Sequence, residues 1–187
     1  MVKPNASQDV PLGGATPGTS VVDLERYVPA YFTWIANKLS GGASQAYLAA
    51  FDVGIETWRL LVLLAIEGPW SAQRICKVIG MDKASVSRVL KSMQKRGLVT
   101  IAPNEQDGRL RMATITAAGL QLHGQILSLA LARETAFLSV LTPQEQAQLT
   151  EFLKRLHDNL PAVERATAAY LTQQHPQARL RRRHHDI

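Results

Sequence analysis

Between Ser71 and Gly97 the chain carries two short helices written with their own start and stop signals, and this restricts the fold more than any bulk property. Ser71 can cap a helix over Ala72 to Ile79, and Gly80 can end it in a left-handed turn. Asp82 then caps a second helix from Lys83 to Arg96, which Gly97 stops. Val86, Val89, Leu90 and Met93 recur at i, i+3, i+4 and i+7, so one face of that second helix must enter a core. Ser85, Ser87, Arg88, Lys91, Ser92 and Lys95 remain on the other face.

Two β-prone runs follow, Leu98 to Ile101 and Arg111 to Thr116. The intervening Pro103-Asn104-Glu105-Gln106-Asp107-Gly108 is rich in turn formers, which predicts a two-stranded hairpin with a charged, exposed tip. Two helices joined by a tight turn and followed by a hairpin describe a winged helix-turn-helix, whose second helix presents small polar and cationic side chains to a major groove. The charge supports this. From Ala72 to Met112 nine basic residues face three acidic ones, which accounts for the whole net charge of +6. A cationic field this local favours a polyanion as partner.

The rest of the chain reads as helical, giving a mainly α class. Apolar residues make up 46% of the 187, enough for a substantial core. A first helix begins near Ala30 behind Pro29, and Gly41-Gly42 is expected to interrupt or kink it before Tyr47, Leu48 and Phe51 resume the pattern. A second, from about Ile55 to Glu67, is apolar nearly all round and should be buried on most sides. After the hairpin a fifth helix runs to about Val140, with Leu120, His123, Ile126, Leu127, Leu129, Ala130 and Phe137 as its apolar side. Thr142-Pro143-Gln144-Glu145 is a capping box opening a sixth, with a stripe of Leu149, Phe152, Leu153, Leu156 and Leu160.

This divides the chain into a flexible tail (1–22), a dimerisation and linker helix (23–54), a DNA-binding domain (55–116), dimerisation helices (117–172) and a basic tail (173–187) ending in Arg181-Arg182-Arg183-His184-His185. With no membrane-length apolar run and no secretory leader, a cytoplasmic location is expected. No metal, P-loop, dinucleotide or nucleophile-elbow signature is read, so neither cofactor nor catalysis is expected.

The stretch from Ile55 to Gly119 resembles the MarR family of bacterial transcriptional regulators. The resemblance is carried by Thr57-Trp58-Arg59-Leu60, by Met81-Asp82-Lys83-Ala84-Ser85-Val86-Ser87-Arg88, by Gly97-Leu98-Val99, and by Asp107-Gly108-Arg109 followed by Ile115, Thr116 and Gly119. It implies a homodimer held by the first, fifth and sixth helices, with two recognition helices reading a pseudo-palindromic duplex. It further implies DNA contacts from Ser85, Ser87, Arg88, Lys91, Ser92, Lys95, Arg109 and Arg111, with Arg109 in the minor groove and Asp107 holding a neighbouring arginine.

The resemblance also implies a small aromatic acid or phenol as effector, for which Tyr31, Trp34, Asp52, Trp58, Arg59 and His123 are candidate lining residues. Each has a plainer reading: the tryptophans as core, Arg59 as partner of an internal carboxylate, His123 as a packed histidine. Cys76, the single cysteine, is expected to turn inward as a small hydrophobe. A ligand-responsive repressor is the leading reading. An architectural winged-helix protein without sequence preference and an enzyme using the interhelical cleft are the alternatives.

Overall fold

The structure is a computed structural model that describes residues 21–178. The expected tail at 1–22 lies outside these residues apart from Val21 and Val22, as do the C-terminal arginines and His184-His185. The chain divides into two compact units at Gly41 and Gly42.

The first helix, α1 (Val28–Phe51), begins in the N-terminal unit, where the Thr33 hydroxyl donates to the Pro29 carbonyl at 3.0 Å. Gly41 and Gly42 are both helical, so the expected interruption does not occur. Glycine inside a helix costs about 1 kcal/mol relative to alanine, which tertiary contacts readily override. At Gly42 the reason is visible. A Cβ there would come within 3.3 Å of the Arg133 guanidinium, so the missing side chain makes room for a cation from a later helix.

The C-terminal unit continues with α2 (Ile55–Ile66), β1 (Trp70–Ser71), α3 (Ala72–Ile79), α4 (Lys83–Lys95), β2 (Val99–Pro103), β3 (Arg111–Ile115), α5 (Ala117–Leu138), α6 (Pro143–Asp158) and α7 (Leu160–Gln174). The start and stop signals act as read. Ser71 Oγ accepts from the Arg74 amide at 3.2 Å and Asp82 Oδ1 from the Ser85 amide at 2.9 Å. Gly80 and Gly97 adopt φ of 67° and 70°, the left-handed region that glycine enters without steric cost.

The hairpin belongs to a three-stranded antiparallel sheet of order β1-β3-β2 rather than a two-stranded wing. Trp70 pairs with Ala113 and Ser71 with Met112, so the entry to α3 is stitched to the root of the wing. A two-residue strand has no periodicity to announce it. Beneath the sheet lies the core: Leu60, Leu61 and Leu64 of α2, Ile75 and Cys76 of α3, Val86, Leu90 and Met93 of α4, Val99, Ala113, and Ile126 of α5. Full burial of each large aliphatic side chain stabilises by about 1.5–3 kcal/mol, and this fixes α4 with its serine and lysine face outward.

The Thr116 and Gly119 pair acquires a physical meaning. The Thr116 hydroxyl donates to the Gly97 carbonyl at 2.6 Å and accepts from the Gly119 amide at 3.1 Å, capping α5 while holding the end of α4. Gly119 lies directly on the Leu98 carbonyl, where a Cβ would collide.

Two features differ from the sequence reading. α6 ends at Asp158, and Leu160 opens α7, a helix the sequence reading does not separate. Pro161 supplies no amide hydrogen to continue α6, yet suits the first turn of a new helix. Of the apolar stripe read on α5, only Ile126 is fully buried, whereas Leu120, Leu127 and Phe137 are exposed. On α6, Phe152, Leu153 and Leu156 are exposed as well.

Candidate nucleic-acid interface

On α4 the inward face is buried and Arg88, Lys91, Ser92 and Lys95 are exposed, with Ser85 and Ser87 half-buried beside them. The Arg88 guanidinium reaches back one turn and donates to Ser85 Oγ at 2.9 Å. That direction is what helical geometry imposes on a long side chain, which leans toward the helix N-terminus over residues three and four before it. Asp82 is held below the usual carboxylate range, first by the Ser85 hydroxyl, then by the Ser85 amide, with Arg88 adding a smaller electrostatic contribution.

The wing tip is built by side-chain oxygens that replace backbone partners. Asn104 Oδ1 accepts from the amides of Gln106 at 2.8 Å and Asp107 at 3.0 Å. Asp107 Oδ1 accepts from the Arg109 amide at 3.0 Å, so the carboxylate anchors the arginine's main chain. Arg109 stands exposed at this tip, while the Arg111 side chain lies across the hairpin and donates to the Ile101 carbonyl at 3.4 Å.

The candidate effector residues separate into groups. Tyr31 and Trp34 lie in the N-terminal unit, edge to face with ring centroids 5.6 Å apart. In the C-terminal unit the Trp58 and His123 rings stack at 5.2 Å and 19°, and Tyr47 meets Trp58 edge-on at 5.9 Å. Arg59 is half-buried on α2. Asp52 is turned elsewhere, its carboxylate 3.8 Å from the Arg96 guanidinium.

Tyr47 and Arg133 were not singled out from the sequence. Tyr47 is only 3% exposed, and burial pushes its phenol above the ordinary range while the Arg133 charge pulls it back. An isolated arginine in the apolar run of α5 was the available signal. Cys76 is buried, and desolvation raises its thiol pKa, as befits a packed side chain rather than a reactive one.

The outward cationic face of α4 is thus followed by a charged wing, whose β3 also pairs with the strand leading into α3. The sequence model of the MarR family aligns with residues 51–110, from the end of α1 through the wing tip. Over that segment the chain matches the MarR family of transcriptional regulators.

The regulator is similar to the HTH-type transcriptional regulator YwaE of Bacillus subtilis, 26% identical over 125 residues covering 67% of this chain and 73% of that protein. To the HTH-type transcriptional repressor IacR of Pseudomonas putida it is 30% identical over 93 residues, 48% of this chain and 55% of that one. Among solved structures, a MarR/EmrR family regulator from Acinetobacter superposes with a TM-score of 0.70 at 28% identity, covering 75% of this chain and 99% of the other. The family consists of transcriptional regulators, not enzymes. No single helix among the described residues is long and apolar enough to cross a membrane.

Proposed function

We propose that the regulator is a repressor that binds a pseudo-palindromic operator as a homodimer and is released by a small aromatic effector. The observation that carries this reading is the apolar surface left open on two helices of the C-terminal unit, Leu131 and Phe137 on α5 and Phe152 and Leu156 on α6, while Phe32 and Ile35 of α1 are likewise exposed in the N-terminal unit. Apolar surface this extensive marks an association face, and a second copy buries it symmetrically. Residues 23–54 and 117–172 then form the dimerisation body, and 55–116 the DNA-binding domain.

In such a dimer two α4 helices enter successive major grooves roughly 34–36 Å apart. Ser87, Arg88, Lys91, Ser92 and Lys95 supply groove and phosphate contacts, and Arg111 supports the wing. Arg109 enters the minor groove, where a narrow A·T-rich stretch concentrates negative potential. The MepR structure from S. aureus, of the same fold at a TM-score of 0.63, is a DNA complex. IacR supports the repressor reading.

The effector reading draws on two further proteins of this fold: CouR, bound to p-coumaroyl-CoA, and BpsR, whose DNA binding is regulated by 6-hydroxynicotinic acid. In this chain Trp58 and His123 offer flat surfaces for an aromatic ring, with Arg59 of the same unit as a further candidate; Tyr31 and Trp34 are candidates within the N-terminal unit.

The test combines light scattering with recovery of genomic fragments on the purified protein. Wild type should run as a dimer and enrich a palindromic motif by roughly 10³-fold or more over random duplex. It should release that duplex in the presence of one member of a panel of aromatic acids. Phe152→Glu with Leu156→Glu should give a monomer that no longer retains the motif. A monomeric wild type, or binding that follows salt but not sequence, overturns the reading in favour of an architectural role.

A further inference from the structure

The first turn of α4 brings together Asp82, Ser85 and Arg88, whose hydrogen-bond directions are forced by chemistry. Arg88 can only donate, and an ionised Asp82 can only accept. Between them stands Ser85, whose hydroxyl carries one hydrogen and two lone pairs. It accepts from Arg88 at 2.9 Å, and its presence beside Asp82 helps hold that carboxylate below the usual range. Asp82 is itself pinned as the helix cap by the Ser85 amide at 2.9 Å.

The consequence concerns freedom. An exposed arginine samples many rotamers, and ordering such a side chain at an interface costs about 2- to 12-fold in affinity. Here one of the five guanidinium N–H groups is already committed to Ser85, and four remain for a base edge. The guanidinium lies over the N-terminal turn of α4, the part of a recognition helix that meets base edges.

Resting on the proposed entry of α4 into the major groove, we infer that Ser85 is a positioning residue. Its hydroxyl, held at the first turn of α4, presets the Arg88 guanidinium to read a single guanine in each half-site, and Ser85 does not itself contact DNA. A guanine is the base inferred because its O6 and N7 accept two parallel bonds from one guanidinium.

The test uses the full-length protein and selection from random duplexes, with wild type, Ser85→Ala, Ser85→Thr, Arg88→Ala and the double variant. Alanine is a strong helix former, so Ser85→Ala keeps α4 helical, and thermal unfolding checks this. Arg88→Ala should lose about 5- to 150-fold of discrimination at one base pair per half-site. Ser85→Ala should lose about 2- to 12-fold at that same base pair, leaving other positions and the salt dependence unchanged. Ser85→Thr, which keeps the hydroxyl, should behave as wild type, and the double variant should match Arg88→Ala alone.

A readout without DNA accompanies these. Nitrogen-15 relaxation of the Arg88 guanidinium should show restricted rotation in wild type and Ser85→Thr, and free rotation in Ser85→Ala. Wild-type discrimination by Ser85→Ala alongside a collapsed Arg88→Ala motif overturns the positioning role. So does a uniform loss across all sequences with a shallower salt slope, which makes Ser85 a phosphate contact. If Arg88→Ala selects the wild-type motif, the groove reading of α4 has failed instead.

Discussion

Arg96, the residue that closes the recognition helix, donates through its guanidinium to the main-chain carbonyl of Asp52, 44 residues earlier in the turn between α1 and α2. Asp52 holds a φ of 53°, unusual for a residue other than glycine, and its carboxylate lies 3.8 Å from the same guanidinium. The turn and the C-terminus of α4 are thereby fastened through one side chain.

Because the Asp52 side chain is 90% exposed, the ion pair itself contributes little and the bond to the carbonyl dominates. Arg96→Ala is expected to lower stability by about 1 kcal/mol in urea unfolding. Asp52→Gly should change it by less than about 0.5 kcal/mol, since glycine keeps the carbonyl and suits a positive φ. Equal losses in the two variants would show that the carboxylate carries the contact.

Gly119 lies against the Leu98 carbonyl, backbone that cannot step aside, with the Ile115 side chain beside it. Gly119→Ala should destabilise by about 1–3 kcal/mol through overpacking. Gly124, on the same helix, faces open space, and Gly124→Ala should stabilise by up to about 1 kcal/mol through helix propensity. Thermal unfolding of the pair separates crowding from propensity.

At the wing, Arg109→Ala should weaken operator binding about 10-fold or more and reduce the salt slope by about 1. Asp107→Ala removes the acceptor of the Arg109 amide and should give a smaller loss by loosening the tip. Gel-shift titration across salt concentrations measures both. Unchanged affinity in the Arg109 variant would sink the minor-groove assignment.

Glu145 accepts from the Thr142 amide at 2.7 Å and from its hydroxyl at 2.9 Å, which together hold its carboxyl below the usual glutamate range. A carboxyl depressed on folding contributes stability that is complete above its unfolded pKa and lost as pH falls through its folded one. Glu145→Ala should therefore be less stable than wild type at neutral pH, with the gap closing below about pH 4, under the ordinary glutamate value. Denaturant unfolding between pH 7 and 3 shows whether the gap closes. A constant gap would assign the loss to side-chain packing.

The candidate site was legible unevenly. The outward face of α4 and the exposed tip of the wing followed from spacing and turn chemistry alone. The roles within them did not: Ser85 is tied to Asp82 and Arg88, Asp107 to an amide, and Arg111 to the Ile101 carbonyl. Residue type says what a side chain can bond to, whereas rotamer and neighbours decide which partner it takes. Tyr47 illustrates the same limit, since its contact with Trp58 joins two helices whose packing no periodicity encodes.

What the sequence determined by itself was local: the caps at Ser71, Asp82 and Thr142, the stops at Gly80 and Gly97, and the buried side of α4. Each depends on hydrogen bonds or spacing within a few residues, so neighbours in the chain suffice to set it. The tertiary structure alone decided the rest. It carried α1 through two glycines, added Trp70–Ser71 as a third strand, turned Asp52 toward Arg96, and seated Gly119 on Leu98. Those partners lie far apart in sequence, and only the packing of helices around the shared core brings them within bonding distance.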